Sequence, residues 1–83
     1  MQITLKLYAS LARYLPPVAI RNVVEIEIPD GASVHDVLDS YHVPRGEAHL
    51  ILINGLYVEP EHRDEAIFRA GDVLAMWPPV AGG

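Results

Sequence analysis

Three segments of this chain predict β-strands: apolar residues occupy every second position in the first two, and the third is apolar throughout and is predicted as the final strand. The segments are residues 2–8, 24–28 and 73–77. In the second segment the intervening residues are Glu25 and Glu27, which indicates a strand with one face in water. In the last segment we assign Leu74 and Met76 to the core, so Trp77 lies on the opposite face.

Helical spacing predicts one short helix and one main helix. The short helix covers residues 9–15, with Ser10 near its start, and Pro16-Pro17 ends it. The main helix follows Ser33, whose hydroxyl can accept a hydrogen bond from a free backbone N–H, while Asp36 lies favourably against the helix dipole. Its apolar residues predict one face packed on the core: Val34, Val37, Leu38 and Tyr41.

The middle of the chain predicts a hairpin. Residues 49–53 are apolar enough to form a strand that is buried on both faces. Asn54-Gly55 is a strong signal for a tight turn, and residues 56–58 return from it. An acidic loop follows over residues 59–65. One main helix beside a run of strands is typical of an α+β domain in which the helix packs on one face of the sheet.

Composition limits the classes of function. The 83 residues form one domain, and the absence of cysteine excludes disulfides, a thiol nucleophile and cysteine-ligated metals. The net charge of −5, with Lys6 as the only lysine, argues against nucleic-acid binding and favours a basic protein partner. No apolar run is long enough to cross a bilayer, so we expect no membrane partner and a cytoplasmic location.

The last seven residues carry the strongest functional signal. They are Trp77, Pro78, Pro79, Val80, Ala81, Gly82 and Gly83. We expect a folded domain over residues 1–77 and a flexible tail over residues 78–83, because proline cannot donate to a sheet and ends the strand. Glycine has no Cβ and fits a narrow slot. Such a tail suits a carboxylate that Gly83 carries into another protein's active site; an incidental chain end is the plainer interpretation.

Three aromatic residues fall outside the core pattern. Tyr8 and Trp77 end the first and last predicted strands, and Tyr57 follows the Asn-Gly turn. If the two strands pair centrally, Tyr8 and Trp77 share the outer face of the sheet where the tail leaves it. We interpret the three rings as a docking patch. The alternative is that they complete the edge of the core, and it carries equal weight for Tyr57.

Neither a metal site nor a catalytic group is indicated. His35, His42 and His49 are evenly spaced but fall on a helix, a loop and a strand, which does not match the closer pairs of zinc sites. The carboxylates between Glu59 and Glu65 lack the alternation of a calcium loop. No glycine-rich phosphate loop is present, so we expect the chain to bind no cofactor and to be non-catalytic alone.

Nearly the whole chain resembles the ubiquitin-like β-grasp sulfur carriers, above all the small subunit of molybdopterin synthase (MoaD-type). Residues 7–13 (LYASLAR) and 53–55 (ING) match, and the specific match is residues 71–83 (GDVLAMWPPVAGG). The resemblance implies a mixed β-grasp sheet with one main helix on one face. It also implies that residues at the positions of Tyr8, Tyr57 and Trp77 face the partner, together with Pro78, Pro79, Val80 and Ala81.

The resemblance implies a sulfur-carrier mechanism. An activating partner like the ubiquitin-activating enzymes (a MoeB-type adenylyltransferase) would use ATP to adenylate Gly83, and a sulfur donor would replace AMP to leave a thiocarboxylate. The large subunit of molybdopterin synthase (MoaE-type) would then receive the tail, with Gly82 providing clearance beside Gly83. The chain would thus be the small subunit of a sulfurtransferase.

Other members of the same fold remain alternatives. The segment between Tyr41 and His49 is short and carries Pro44-Arg45-Gly46, where many MoaD-type carriers have a longer helical region. The thiamine carriers (ThiS-type) share the fold and the Gly-Gly end but usually lack the double proline. Archaeal-type modifiers that also conjugate to lysines share the tail. A plain interaction domain with an incidental Gly-Gly is the third class.

Overall fold

Five strands form one mixed sheet in the computed structural model, which describes residues 1–79. The strands are β1 (Gln2–Leu7), β2 (Val23–Glu27), β3 (Leu50–Ile53), β4 (Leu56–Tyr57) and β5 (Val73–Trp77). Their order across the sheet is β2-β1-β5-β3-β4. β1 and β5 lie side by side and parallel, and the other neighbours are antiparallel. The first and last strands therefore pair centrally, which is the condition under which Tyr8 and Trp77 were predicted to share the outer face.

The single α-helix of the described residues, α1 (Val34–Ser40), begins with the predicted cap. The Ser33 hydroxyl accepts a hydrogen bond from the Asp36 N–H at 3.1 Å, and the Asp36 carboxylate accepts one from the Ser33 N–H at 2.9 Å. These two bonds satisfy donors that the first helical turn leaves free. Val34, Val37 and Leu38 are buried in the core that the inner face of the sheet shares.

The short helix predicted over residues 9–15 is a 3₁₀ helix, Ala9–Tyr14, and Leu11 is its buried residue. Ser10 does not cap it, because no side-chain hydrogen bond closes its first turn. Two further 3₁₀ turns cover Arg45–Glu47 and Pro60–His62, so part of the predicted acidic loop is helical.

The Asn54-Gly55 turn forms as predicted and also anchors the last strand. Asn54 and Gly55 have φ of 52° and 83°, the left-handed conformation that a tight hairpin turn of this kind requires. The Asn54 side chain accepts from the Val73 N–H and donates to the Asp72 carboxylate, both at 2.9 Å. The tip of the β3–β4 hairpin is thereby tied to the start of β5.

The prediction that residues 49–53 are buried on both faces is wrong. Ile51 is fully buried, but Leu50 is 37% exposed. The reason is that the helix covers only the inner face of the sheet, so alternate residues of β3 have no layer above them. A short apolar run does not by itself reveal whether both sides are covered.

The expected fold class is confirmed: a mixed sheet with one main helix in an α+β arrangement. Within residues 1–79, no helix has the length and apolar character needed to cross a membrane. The predicted tail residues Val80, Ala81, Gly82 and Gly83 lie outside the described residues. The boundary between a domain over 1–77 and a tail over 78–83 stays a prediction.

Candidate functional site

The outer face of the sheet, opposite α1, is apolar over the half where β5 ends. Strand register places five residues in one row across all five strands: Val23, Lys6, Ala75, Leu52 and Tyr57. A second row contains Tyr8, Trp77 and Leu50. We call these eight residues the apolar face. Lys6 is its only charged member.

The Tyr8 and Trp77 rings form the centre of the second row. Their centroids are 4.6 Å apart and their planes differ by 10°, which is a stacked pair. The Tyr8 N–H donates to the Met76 carbonyl at 3.1 Å, so the backbone of Tyr8 continues the pairing of β1 with β5. The two rings share the outer face, as the sequence predicted, and neither completes the inner core. Their role in docking remains a prediction.

Tyr57 lies on the same face at the far edge, and a buried cation holds it. It is 52% exposed, whereas Arg63 is only 8% exposed. The Arg63 guanidinium donates to the Val58 carbonyl at 3.0 Å and to the Tyr57 hydroxyl at 3.3 Å, and it lies 5.8 Å from the centre of the Tyr57 ring. Tyr57 is therefore an oriented side chain of the surface.

Sequence reasoning missed four apolar residues of this face and its arginine support. Val23, Leu50, Leu52 and Ala75 join the face because each is opposite a residue of the neighbouring strand in the register. Ala75 lies between Lys6 and Leu52 in the first row. It is only 8% exposed although no layer covers it, so it forms the base of the face between two longer side chains. Successive side chains of a strand point to opposite faces, so the assignment of Leu74 and Met76 to the core was a usable signal that Ala75 lies on the outer face. No sequence pattern indicated that Arg63 is buried.

The chain leaves the sheet beside the stacked rings. The His49 N–H donates to the Trp77 carbonyl at 2.9 Å. Pro78 follows and has no N–H to offer to a neighbouring strand, and Pro79 is exposed. The prolines thus end β5 as predicted, and they direct the chain away at the apolar half of the outer face.

The other half of the outer face is mostly polar, with Val73 beside Thr4 as its apolar member. There Thr4 lies opposite Glu25 and Gln2 lies opposite Glu27 on the neighbouring strand. The Gln2 amide donates to the Glu25 carboxylate at 3.2 Å. The outer face is therefore mostly polar around the start of β5 and apolar around its end.

The histidines do not gather at a metal centre. The His35 ring lies 2.7 Å from the Asp64 carboxylate, and the His62 ring lies 2.9 Å from the Glu65 carboxylate. The hydrogen bond and charge of Glu65 raise the pKa of His62. Within residues 1–79, Glu59, Glu61 and His62 are the one group whose ligand atoms approach each other within 4.8 Å, and all three are exposed.

The four carboxylates of the acidic loop are all exposed. A shared hydrogen bond with Glu61 raises the pKa of Glu59, and the same bond lowers the pKa of Glu61. A separate cleft of about 500 Å³ lies between the β2–α1 loop and α1, beside Asp30, Asp36 and Tyr41. Of the predicted site residues within 1–79, which are Tyr8, Tyr57, Trp77, Pro78 and Pro79, none borders this cleft.

A protein-family comparison matches nearly the whole chain. Residues 1–81 match the family model described as Mut7-C ubiquitin. A search of curated proteins finds no significant match.

Solved structures of the same architecture align over most or all of the chain. SAMP1 from Haloferax volcanii is 30% identical with a TM-score of 0.68, and the alignment covers 100% of each chain. A candidate subunit 1 of molybdopterin converting factor from Pyrococcus furiosus is 28% identical with a TM-score of 0.65, over 95% of this chain and 98% of that one. The HVO 2177 protein of Haloferax volcanii, 24% identical over 100% of this chain and 87% of that one, shares the fold with a TM-score of 0.77.

Proposed function

The chain belongs to the Mut7-C ubiquitin family, and from this premise we propose that it is a sulfur carrier whose Gly83 carboxylate becomes a thiocarboxylate. The ubiquitin-like β-grasp fold that it shares with SAMP1 and with the molybdopterin converting factor candidate supports this proposal. The observation that carries it is the position of the apolar face, because that face surrounds the end of β5 from which the chain runs toward Gly82-Gly83.

The proposed chemistry needs a partner because a carboxylate is a poor electrophile. An activating enzyme of the MoeB type would join Gly83 to AMP from ATP, with release of pyrophosphate. Sulfide or an equivalent donor would displace AMP and leave the thiocarboxylate. This chain would supply the docking surface and a narrow glycine end, and it would bind no cofactor itself.

The proposed acceptor is the molybdopterin precursor, reached through a MoaE-type large subunit. Similarity to the converting factor candidate supports this choice. The large subunit would receive Pro78 to Gly83 in its active site while the apolar face holds the two proteins together. Tyr8, Tyr57 and Trp77 would be the main contacts, because exposed aromatic residues contribute most to such interfaces. A ThiS-like carrier that serves thiamine or another acceptor would use the same tail.

Protein modification is the second candidate function. Its support is the similarity to SAMP1, the small archaeal modifier protein 1 of Haloferax volcanii. In this role the Gly83 adenylate would react with a lysine amine of another protein, which would form an isopeptide bond and release AMP. The two functions share the activation step and differ only in the acceptor.

Intact-protein mass spectrometry tests the activation step. The chain is incubated with ATP, a matching activating enzyme and sulfide, and the expected result is a mass gain equal to the replacement of one oxygen by sulfur, localised to Gly83. The mass before reaction establishes whether Gly83 carries a free carboxylate. The matched control is a Gly83 deletion, which should keep the fold and show no gain. No gain in the wild type with an active enzyme would refute the carrier role.

Denaturing blots of cells that express the chain distinguish sulfur transfer from protein modification. A sulfur carrier gives the free chain, whereas a modifier gives larger adducts that resist both denaturation and reductant. Adducts that disappear in the Gly83 deletion would favour the modifier.

A further inference from the structure

The carboxylates of this acidic chain are unevenly distributed, which leaves one segment with cations alone. Residues 1–24 contain Lys6, Arg13 and Arg21 and no carboxylate, and all 11 Asp and Glu residues lie from Glu25 onward. Residues 1–24 therefore carry a formal charge of +3 and the remaining residues −8, so the net charge of −5 hides a cationic segment. That segment contains β1 and the connection to β2, which are next to the end of β5.

Two of these cations have no carboxylate partner among the described residues. Arg13 pairs with Glu47 at 2.9 Å. Lys6 and Arg21 take part in none of the salt bridges within residues 1–79. Lys6 lies within the apolar face between Val23 and Ala75. Arg21 is exposed in the turn that joins Ile20 to Val23.

Three exposed apolar side chains accompany the two cations. Val18 is 76% exposed, Ile20 is 77% exposed and Val23 is 37% exposed. Single exposed apolar residues are ordinary, but three within six residues beside an apolar sheet face are a concentration that favours an interaction site. The inner core does not need them, because Val18 and Ile20 are mostly in water.

The segment that presents them is held in place. Ile20 and Val23 exchange two backbone hydrogen bonds, of 3.0 Å and 3.1 Å. The Asn22 side chain donates to the Leu7 carbonyl at 2.8 Å, and the Asn22 carbonyl accepts from the Leu7 N–H at 3.1 Å. These bonds attach the turn to the end of β1, where Tyr8 stacks on Trp77. The exposed apolar side chains are thus presented at the edge of the apolar face.

We propose that Val18, Ile20 and Arg21, joined to the Val23 and Lys6 edge of the apolar face, form a second docking surface for the activating enzyme, and that the enzyme contacts it with an apolar surface bordered by Asp or Glu side chains. This inference rests on the proposed function. It replaces the expectation of a basic partner, which came from the net charge alone. Two unpaired cations beside exposed apolar groups are complementary to carboxylates at the edge of an apolar surface.

A nucleic acid is a poorer occupant of this surface. Phosphate binding needs several cations along one stripe, and in residues 1–24 only Lys6 and Arg21 lack a salt bridge to a described residue, on a chain of net charge −5. An anionic membrane is disfavoured because the same chain carries 11 carboxylates. These two occupants are outcomes of the test below.

The kinetics of Gly83 adenylation test the proposal. Pyrophosphate exchange is measured with the matching activating enzyme at varied concentrations of the chain, for wild type and for Arg21→Glu and Ile20→Ser. We expect each variant to lower kcat/KM by about tenfold or more with kcat nearly unchanged, because docking and not chemistry is affected. Arg21→Lys keeps the charge and should stay within about twofold of wild type. The Arg21→Glu defect should shrink in high salt.

Matched controls lie elsewhere on the surface. Arg69→Glu reverses a charge on an exposed residue far along the chain, and Leu56→Ser removes an apolar side chain that is 75% exposed, like Ile20. Both should keep the wild-type kcat/KM. Equal unfolding midpoints would show that all variants fold.

The outcomes separate the inference from the function. If the wild type supports pyrophosphate exchange and the variants have the same kcat/KM as their controls, the second docking surface is overturned and the carrier proposal stands. Absence of exchange with the wild type would overturn both. Binding of wild type, but not of Ile20→Ser, to phosphatidylserine vesicles or to a duplex oligonucleotide would reassign the surface to a membrane or to nucleic acid.

Discussion

The two faces of the central strands carry similar apolar residues but have different surroundings. In β5, Leu74 points to the inner face and is fully buried in the core that α1 shares, whereas Ala75 points to the outer face, which no layer covers. In β3, Ile51 and Leu50 differ in the same way. The comparison teaches that one set of strands can supply two apolar surfaces, of which one stabilises the fold and the other is available to a partner.

Removing a leucine from each face gives the largest expected contrast in stability. Leu74→Ala should lower the free energy of unfolding by about 2–5 kcal/mol, because it leaves a cavity in a closed core. Leu50→Ala on the outer face should cost only about 1 kcal/mol, since its side chain already contacts water. Denaturant unfolding of both variants measures the difference. Equal losses would mean that the outer face is a second core.

Removing an aromatic ring from the outer face should affect docking more than stability. Trp77→Ala abolishes the stack with Tyr8 and should weaken binding to the activating enzyme by roughly 2 kcal/mol, or about thirtyfold in Kd. Titration calorimetry measures this effect. Leu56→Ala is the control, because Leu56 is exposed but does not belong to the apolar face. A loss of similar size in the control would argue against a specific patch.

The cap of α1 tests the inner side of this comparison, because it stabilises the helix that covers the core. Ser33→Ala removes the acceptor for the Asp36 N–H and should cost about 1 kcal/mol of unfolding free energy. Ser40→Ala provides the matched control, because its exposed hydroxyl only donates back to the Asp36 carbonyl. Thermal or denaturant unfolding compares the two, and an equal cost would contradict the role of the cap.

The smallest expected effect lies away from both faces, in the acidic loop. Glu65 raises the pKa of His62 in the folded state above its ordinary value. The pair therefore stabilises the fold below the ordinary pKa of histidine, and this contribution disappears as the pH rises through the raised value. Titration of His62 by NMR should show a lower midpoint in Glu65→Gln. In Glu25→Gln, a distant control, the midpoint should not move; an equal shift there would point to net charge instead.

Local signals predicted much of this molecule. The capping box at Ser33, the Asn54-Gly55 turn and the limits of β5 depend on neighbouring residues and on intrinsic backbone preferences, so they could be inferred along the chain. The shared face of Tyr8 and Trp77 also followed, because it needs only the alternation of two strands and one assumption about their pairing.

Errors arose where a residue's surroundings come from distant parts of the chain. The apolar run 49–53 looked buried on both sides because the sequence does not state which face α1 covers. Arg63 looked like one more charged residue of an acidic loop, but the fold brings it to the carbonyl of Val58 and to the hydroxyl of Tyr57. The position of unpaired cations was likewise hidden in the net charge.

The sequence by itself determined the elements and their caps and turns, because these arise from the chemistry of adjacent residues. The tertiary structure alone decided which apolar residues became core and which became surface, because burial depends on what packs above a strand. It also decided that Lys6, Val23 and Ile20 lie together beside the stacked rings. Strand register joins them, and register is set by contacts between residues far apart in the chain.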